Sequence, residues 1–142
     1  MTGESNRQPL TPEERETFIR NNARLIAPPL VPEITLYLAE ESVPIWQKSE
    51  DELGEINVPP PYWAFAWAGG QALARYLLDN PQVCAQQSVI DLGAGSGLTA
   101  IAAAKCGAAS ILAADVDQFA LAACRMNAIA NGEAFATTSD DL

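Results

Sequence analysis

The chain has 142 residues, 49% of them hydrophobic and 18% charged, a composition typical of a single globular domain with a real core. Its 18 acidic and 8 basic residues give a formal net charge of −10, which disfavours nucleic acid and anionic membranes as partners because both are polyanions. Histidine is absent, which excludes histidine-based catalytic triads and most zinc sites.

The cysteines and the N-terminus indicate the compartment. Cys84, Cys106 and Cys124 are odd in number and form no CxxC pair, which suits a reducing environment in which each is a small core residue. The first residues, MTGESNRQPL, lack the apolar segment of a secretory signal. No apolar run reaches the roughly 18 residues that span a bilayer. We therefore expect a cytoplasmic protein without a bound metal.

Residues 1–57 are assigned to a helical and extended N-terminal segment. After a loose tail over 1–10, the sequence TPEE forms a capping box with proline at the first helical position, which predicts a helix to about Ile26. The sequence ITLYLA at 34–39 predicts a short strand, with a helix as the alternative. The acidic, proline-ended stretch SEDELGEINVPPP predicts a loop or hinge.

Residues 58–142 alternate between helical and strand patterns. AGGQALARYLLD, GLTAIAAAKCG and DQFALAACRMNAIANG predict helices, whereas SVIDLG, SILAAD and EAFATT predict strands. SVIDLG is apolar on both faces, as buried parallel strands are. Short connections between alternating strands and helices predict an α/β fold with a Rossmann-like, doubly wound parallel sheet. The inward stripe of the last helix is expected to contain Phe119, Ala123, Met126, Ile129 and Ala130.

The turn in SVIDLGAGSG has glycines at 93, 95 and 97 after a strand, a spacing that lets backbone approach a ligand. A Walker loop is excluded because no lysine follows Gly97, and the dinucleotide fingerprint is broken by Leu98. Asp91 would repel a diphosphate but suits a cation, while the following helix N-terminus favours a carboxylate. S-adenosylmethionine, which joins an amino acid, a positive sulfur and a nucleoside, meets both demands.

A second acid follows the next predicted strand. Asp115 comes 22 residues after Gly93, about where a carboxylate accepts hydrogen bonds from both hydroxyls of a ribose. The alternative function for Asp115 and Asp117 is capping of the helix that follows. We expect Asp115 to bind the ribose and Asp117 to cap the helix.

DLGAGSG followed by an acid-ended strand resembles the class I methyltransferases. Two further stretches, VPEITLYLAEE at 31–41 and PPPYWAFAWAGGQALARYLLDNP at 59–81, resemble the lysine methyltransferases of the electron-transfer flavoprotein β-subunit and their bacterial relatives. The resemblance covers about residues 25–142. It implies a protein-lysine N-methyltransferase that uses S-adenosylmethionine, with that flavoprotein subunit as the favoured substrate. Two alternatives stay open: a methyltransferase of the same superfamily acting on a ribosomal protein or small amine, or an inactive cofactor-binding fragment.

The resemblance also implies site residues. Trp67 is expected beside the sulfonium, where a cation–π contact contributes about 1 kcal/mol, although clustered aromatic residues more often fill a core. Asp140 and Asp141 fall where the family reads the adenine amino group, with a solvated acidic tail as the alternative. The expected cofactor-binding residues are Trp67, Gly69, Gly70, Asp91, Gly93, Gly95, Gly97, Asp115 and Asp141.

The sheet of the class I methyltransferases has seven strands, of which this sequence predicts the first three. The family's acidic-aromatic catalytic motif follows the fourth strand, so the catalytic residues are unknown and expected beyond residue 142. We expect a methyltransferase truncated at the C-terminus that has the N-terminal half of the fold. The exposed edge of SVIDLG should then favour association, and turnover should be lost.

Overall fold

The computed structural model describes residues 10–40, Ile45 and 59–142. The predicted tail at 1–10 and the acidic loop before residue 62 lie largely outside these residues. The helices are α1 (Pro12–Asn22), α2 (Ala68–Asp79), α3 (Leu98–Lys105) and α4 (Gln118–Ala130). The strands are β1 (Arg24–Ile26), β2 (Leu36–Leu38), β3 (Ser88–Leu92), β4 (Ser110–Ala114) and β5 (Ala136–Thr138).

The central feature is a parallel sheet with the strand order β3-β4-β5. Its register places Ile90 opposite Leu112 and Leu112 opposite Ala136. α3 connects the first two strands and α4 connects the second two, so consecutive strands are neighbours. This is the α/β, Rossmann-like arrangement that the alternating pattern predicted, and the fold prediction is confirmed over this part of the chain.

One face of the sheet carries the main core. Ile101 of α3, Ile111 and Ala113 of β4 and Leu77 of α2 are buried together with Leu36 of β2. The opposite face is less well covered, because the large side chains of β3 on that face are exposed. The prediction that SVIDLG is buried on both faces is therefore wrong for this structure.

Two large side chains show this less covered face most clearly. Ile90 is 59% exposed and Leu92 is 65% exposed, although both belong to the strand predicted to be buried. β3 is also an edge strand of the described sheet, as expected from a sheet with only its first three strands. The predicted tendency to associate through this edge stays a prediction.

The N-terminal segment forms a helix and a hairpin. α1 has the predicted capping box, but it ends at Asn22 instead of Ile26. The Asn22 side chain donates to the Phe18 carbonyl at 2.9 Å, a local bond that competes with further helix. Ala23 is extended, and β1 then pairs antiparallel with β2. The predicted helix over Arg24–Ile26 is thus wrong, whereas the strand predicted for ITLYLA is confirmed.

A second cluster of buried residues joins α1 to α4. The rings of Phe18 and Phe119 meet edge to face with their centroids 5.6 Å apart, and Ile19, Trp63 and Met126 are buried with them. The N-terminal segment is therefore packed against the parallel-sheet unit, and the boundary predicted at residue 58 stays a prediction. None of the helices in the described ranges is both long and apolar enough to cross a bilayer.

The buried stripe of α4 is shifted from the predicted one. Phe119, Ala123 and Met126 are buried as expected, but Ile129 is 77% exposed and Ala130 is exposed as well. The last turn of the helix instead buries Asn127 and Ala128, and the Asn127 side chain accepts a hydrogen bond from the Tyr37 N–H of the hairpin. The prediction is wrong at this end because the hairpin, which packs there, could not be inferred from local periodicity.

Candidate functional site

The glycine turn follows β3 at the carboxyl edge of the sheet, the edge at which ligands bind in open α/β folds. Gly93 has φ +67° and no atom within 4 Å of a hypothetical Cβ, and Gly95 has φ +55° with its nearest such neighbour at 3.9 Å. Backbone is thus open to a ligand at these two positions. The turn is closed by the Gly97 N–H, which donates to the Ala94 carbonyl at 2.8 Å.

Gly97 has a different reason to be glycine. It is buried and has φ +86°, and a Cβ at this position would lie 2.6 Å from the Cys124 Sγ of α4. Real Cβ atoms do not approach a neighbour so closely, so α4 leaves room for a hydrogen only. The third glycine of the turn is therefore explained by the packing of the turn on a helix, and its expected contact with the cofactor stays a prediction.

Asp115 lies directly after β4 and connects the glycine turn to the residues that precede α4. Its Oδ2 accepts from the Gly95 N–H at 2.9 Å, and its Oδ1 accepts from the Asp117 N–H at 2.9 Å. Each carboxylate oxygen has a second lone pair, so acceptor capacity for ribose hydroxyls remains. Asp117 is the N-cap of α4 and accepts from the Phe119 N–H at 2.9 Å, which confirms that capping belongs to Asp117.

Asp91 has a structural partner that the sequence did not reveal. Its Oδ2 accepts from the Ala100 N–H at 3.1 Å, within the first turn of α3. The N-cap residue Gly97 has no side chain to do this, so a carboxylate from β3 satisfies the helix instead. Burial raises the pKa of Asp91, and the nearby charge of Asp115 raises it further, against the lowering effect of the Ala100 N–H.

A cleft of about 320 Å³ opens beside the glycine turn. It brings together three of the predicted site residues, Gly93, Asp115 and Asp141. The remaining predicted residues do not line it: Trp67, Gly69, Gly70, Asp91, Gly95 and Gly97 lie outside its wall. The lining consists of Leu92, Gly93, Ala114, Asp115, Val116, Asp140, Asp141 and Leu142.

The charge of the cleft limits the ligands that it suits. Asp115, Asp140 and Asp141 place three carboxylates on its wall, and no basic residue is among the lining residues. A diphosphate would be repelled there, whereas hydroxyl and amino groups find acceptors. Apolar side chains on the same wall, such as Leu92 and Val116, suit the faces of a nucleobase.

Trp67 is the N-cap residue of α2 and forms an exposed aromatic group. Its Nε1–H donates to the Tyr62 carbonyl at 2.9 Å, and its ring lies 5.6 Å from that of Phe65. The indole is 53% exposed, so it is not the core plug that clustered aromatics suggest. Gly70 in the first turn of α2 faces Leu98 of α3, with 4.0 Å between a hypothetical Cβ and the leucine Cδ2. α2 therefore begins beside the helix that follows the glycine turn.

The cysteines are buried and unpaired. Burial, with Asp91 and Asp115 nearby, raises the pKa of Cys124 to about 12, so its thiol stays neutral at physiological pH. Cys106 donates to the Leu77 carbonyl at 3.1 Å, and burial raises its pKa too. Neither environment activates a nucleophile, since a reactive cysteine needs a lowered pKa.

Comparison with known proteins identifies relatives of this arrangement. The family model "Ribosomal protein L11 methyltransferase (PrmA)" matches residues 71–139. Electron transfer flavoprotein beta subunit lysine methyltransferase of Rattus norvegicus is 50% identical over 103 residues, 72% of this chain and 39% of that protein. The Danio rerio protein of the same name is 42% identical over 116 residues, 81% of this chain and 44% of that protein.

Among solved structures, the ribosomal protein L11 methylase from Lactobacillus delbrueckii subsp. bulgaricus is 35% identical, with a TM-score of 0.48 over 55% of this chain and 40% of that one. The chain spans less than half the length of the curated relatives that it matches, at 39% and 44% of the two named above. The sequence matches confirm the resemblance predicted from the DLGAGSG turn and its flanking segments. By sequence, the chain is similar to the ribosomal protein L11 methyltransferase family over residues 71–139 and to the lysine methyltransferases of the electron-transfer flavoprotein β-subunit over most of its length.

Proposed function

We propose that the protein is an S-adenosylmethionine-dependent protein-lysine N-methyltransferase with the electron-transfer flavoprotein β-subunit as its substrate. The observation that carries the cofactor assignment is Asp115, which lies at the end of β4, binds the open glycine turn through Gly95 and lines an anionic cleft. The substrate assignment is supported by the 42% and 50% identity to two enzymes whose names specify that subunit.

The residues present fit this cofactor in three ways. Asp115 supplies acceptors for the ribose hydroxyls, and Asp141 lies in the same cleft, where it suits the adenine amino group. Gly93 and Gly95 leave the backbone open to the ligand. The N-terminus of α3 favours the carboxylate of the methionine moiety. Trp67, Gly69 and Gly70, around the start of α2, are proposed to lie on the methionine side.

When bound, S-adenosylmethionine would supply the methyl group to the lysine nitrogen, and its positive sulfur would become a neutral thioether, so this chain would not need to supply an acid. The acceptor amine, with a reference pKa of about 10.4, must lose its proton first, helped by desolvation or a neighbouring acid. The protein then contributes mainly alignment of nitrogen, methyl carbon and sulfur. No described residue is assigned as the proton acceptor.

A second candidate is methylation of ribosomal protein L11, and the family match over residues 71–139 supports it. The higher identity to the flavoprotein-subunit enzymes makes it the second choice. We rank a small amine as acceptor, or a cofactor-binding protein without turnover, below these two. We include a cytoplasmic location in the proposal, since three unpaired, buried cysteines suit a reducing compartment.

The test is a competition between acceptors. Because residues 1–142 alone are expected to lack turnover, the complete enzyme that contains them is incubated with methyl-labelled S-adenosylmethionine and equal amounts of electron-transfer flavoprotein and ribosomal protein L11. Label on a lysine of the flavoprotein β-subunit is expected. Label on ribosomal protein L11 alone would support the second candidate. Cofactor binding with no label on either protein would contradict both assignments of substrate, and absence of cofactor binding would contradict the function as a whole.

A further inference from the structure

Asn127 is a fully buried polar residue in the last turn of α4, with no exposed surface. Both ends of its side-chain amide are used. The Nδ2 group donates to the Ser96 carbonyl at 2.7 Å, and Oδ1 accepts from the Tyr37 N–H at 2.7 Å. These partners fix the orientation of the amide, because a carbonyl can only accept and an N–H can only donate. One side chain thus joins the glycine turn to the N-terminal hairpin.

The contact to Ser96 completes a set of three restraints on consecutive residues of the turn. Asp115 holds the Gly95 N–H, Asn127 holds the Ser96 carbonyl, and Gly97 packs against Cys124. Cys124 and Asn127 are three residues apart and therefore lie on the same face of α4. A single helix face thus shapes the part of the turn that follows the open glycine positions.

The residues one turn further along α4 contact the N-terminal hairpin. Asn131, one turn after Asn127, accepts from the Thr35 N–H at 3.1 Å and donates to the Thr35 carbonyl at 2.6 Å. Four residues of helix rise about 6 Å, and two residues of strand rise about 6.6 Å. The spacing between the two asparagines therefore matches the spacing between Thr35 and Tyr37. Asn131 differs from Asn127 in one respect that matters: its amide binds Thr35 and the Asn127 carbonyl, neither of which belongs to the turn.

We propose that Asn127 is a positioning residue for the cofactor turn. By holding the Ser96 carbonyl, it keeps the peptide groups from Gly93 to Gly97 in the conformation that accepts the cofactor. Its bond to Tyr37 anchors this turn to the N-terminal hairpin, which gives that hairpin a role in cofactor affinity without contact with the cofactor. The effect on affinity rests on the proposed function, whereas the effect on the turn does not.

The test compares Asn127→Asp with Asn131→Asp. Asn127→Asp keeps an acceptor for the Tyr37 N–H but has no N–H for the Ser96 carbonyl, which then faces a second oxygen. Asn131→Asp makes the same change at the hairpin and serves as the matched control. Affinity for S-adenosylhomocysteine is measured by calorimetry, and exchange of the backbone amides from 93 to 97 is followed without ligand. Both measurements are made on the folded protein.

We expect Asn127→Asp to weaken S-adenosylhomocysteine binding about tenfold and to speed amide exchange in the turn. Asn131→Asp should leave the affinity for S-adenosylhomocysteine and the amide exchange rate of the turn unchanged within about twofold, even where it lowers the free energy of unfolding. If Asn127→Asp does not fold, Asn127→Ser, which is too short to reach Ser96 or Tyr37, is compared with Asn131→Ser.

Equal effects of the two substitutions would overturn the proposal, since Asn127 would then only support the fold. Unchanged exchange in the turn of the Asn127 variant would overturn it as well. If the wild-type protein binds no S-adenosylhomocysteine, the proposed function and the affinity effect fail together. Selective loosening of the turn by Asn127→Asp would even then support its role in holding the turn.

Discussion

Replacement of Gly97 by alanine tests whether the turn is shaped by its packing on α4. The new Cβ would lie 2.6 Å from the Cys124 Sγ and 3.4 Å from its Cα, on a backbone with φ +86°. Left-handed backbone costs an L-residue about 1–2 kcal/mol, and overpacking of a core costs about 1–3 kcal/mol more. We therefore expect Gly97→Ala to lower the free energy of unfolding by roughly 2–5 kcal/mol, measured by urea denaturation with far-ultraviolet circular dichroism.

The control is Gly107→Ala, since Gly107 has φ +84° but nothing within 4 Å of a hypothetical Cβ. This variant should show only the backbone cost of about 1–2 kcal/mol. Cys124→Ala should relieve part of the clash in the Gly97→Ala background, giving a coupling of about 1–2 kcal/mol between the two sites. Equal costs for the two glycine substitutions, together with additive effects of Gly97→Ala and Cys124→Ala, would refute the packing argument.

The remaining predictions concern the cofactor and the titratable groups. Trp67→Ala should weaken S-adenosylmethionine about fivefold more than the neutral S-adenosylhomocysteine, because cation–π attraction of about 1 kcal/mol needs the positive sulfur; equal losses in titration calorimetry would contradict it. In the complete enzyme, combined Cys84→Ala, Cys106→Ala and Cys124→Ala should lower the unfolding midpoint but leave methyl transfer intact in the folded fraction, and a folded, cofactor-binding but inactive triple variant would contradict it. Burial raises the pKa of Asp91 above 3.8, so the folded state holds this proton more tightly and its contribution to stability falls as pH rises. Asp91→Asn should therefore gain stability relative to wild type in urea denaturation as pH rises above about 4, until pH passes the raised pKa of the folded state, and a difference independent of pH would contradict it.

The parallel-sheet unit could be predicted well because its signals are local. Strands such as SVIDLG and SILAAD are short apolar runs between glycine-containing turns, and the helices between them have clear ends. The strand at Arg24–Ile26 could not be predicted, because its pairing with β2 depends on residues 10 to 14 positions away, beyond the reach of a helical pattern. The predicted burial of Ile129 was wrong for the same reason, since it depends on what packs against the end of α4.

The sequence predicted which residues lie at the site better than it predicted the role of each residue. Gly93 and Asp115, which the spacing predicted to bind one ligand, line the same cleft because parallel strands end at the same edge of the sheet, while their binding of the cofactor stays a prediction. The capping of α3 by Asp91 and the packing of Gly97 required the relative positions of separate elements. Asn127 and Asn131 were not predicted as site residues, although the sequence holds a signal: two asparagines one turn apart at the end of a largely apolar helix are costly unless both are satisfied.

Binding of S-adenosylhomocysteine and of NAD to wild type and to Asp115→Ala tests the central assignment most directly. Because Asp115 also holds the Gly95 N–H, an analogue of S-adenosylhomocysteine without ribose hydroxyls is included to separate the ribose contact from the shape of the turn. We predict that wild type binds S-adenosylhomocysteine and not NAD. Asp115→Ala should weaken S-adenosylhomocysteine by about 1–3 kcal/mol, with a clearly smaller loss for the analogue. Tight binding of NAD by the wild type, or an equal affinity of wild type and Asp115→Ala for S-adenosylhomocysteine, would contradict the account.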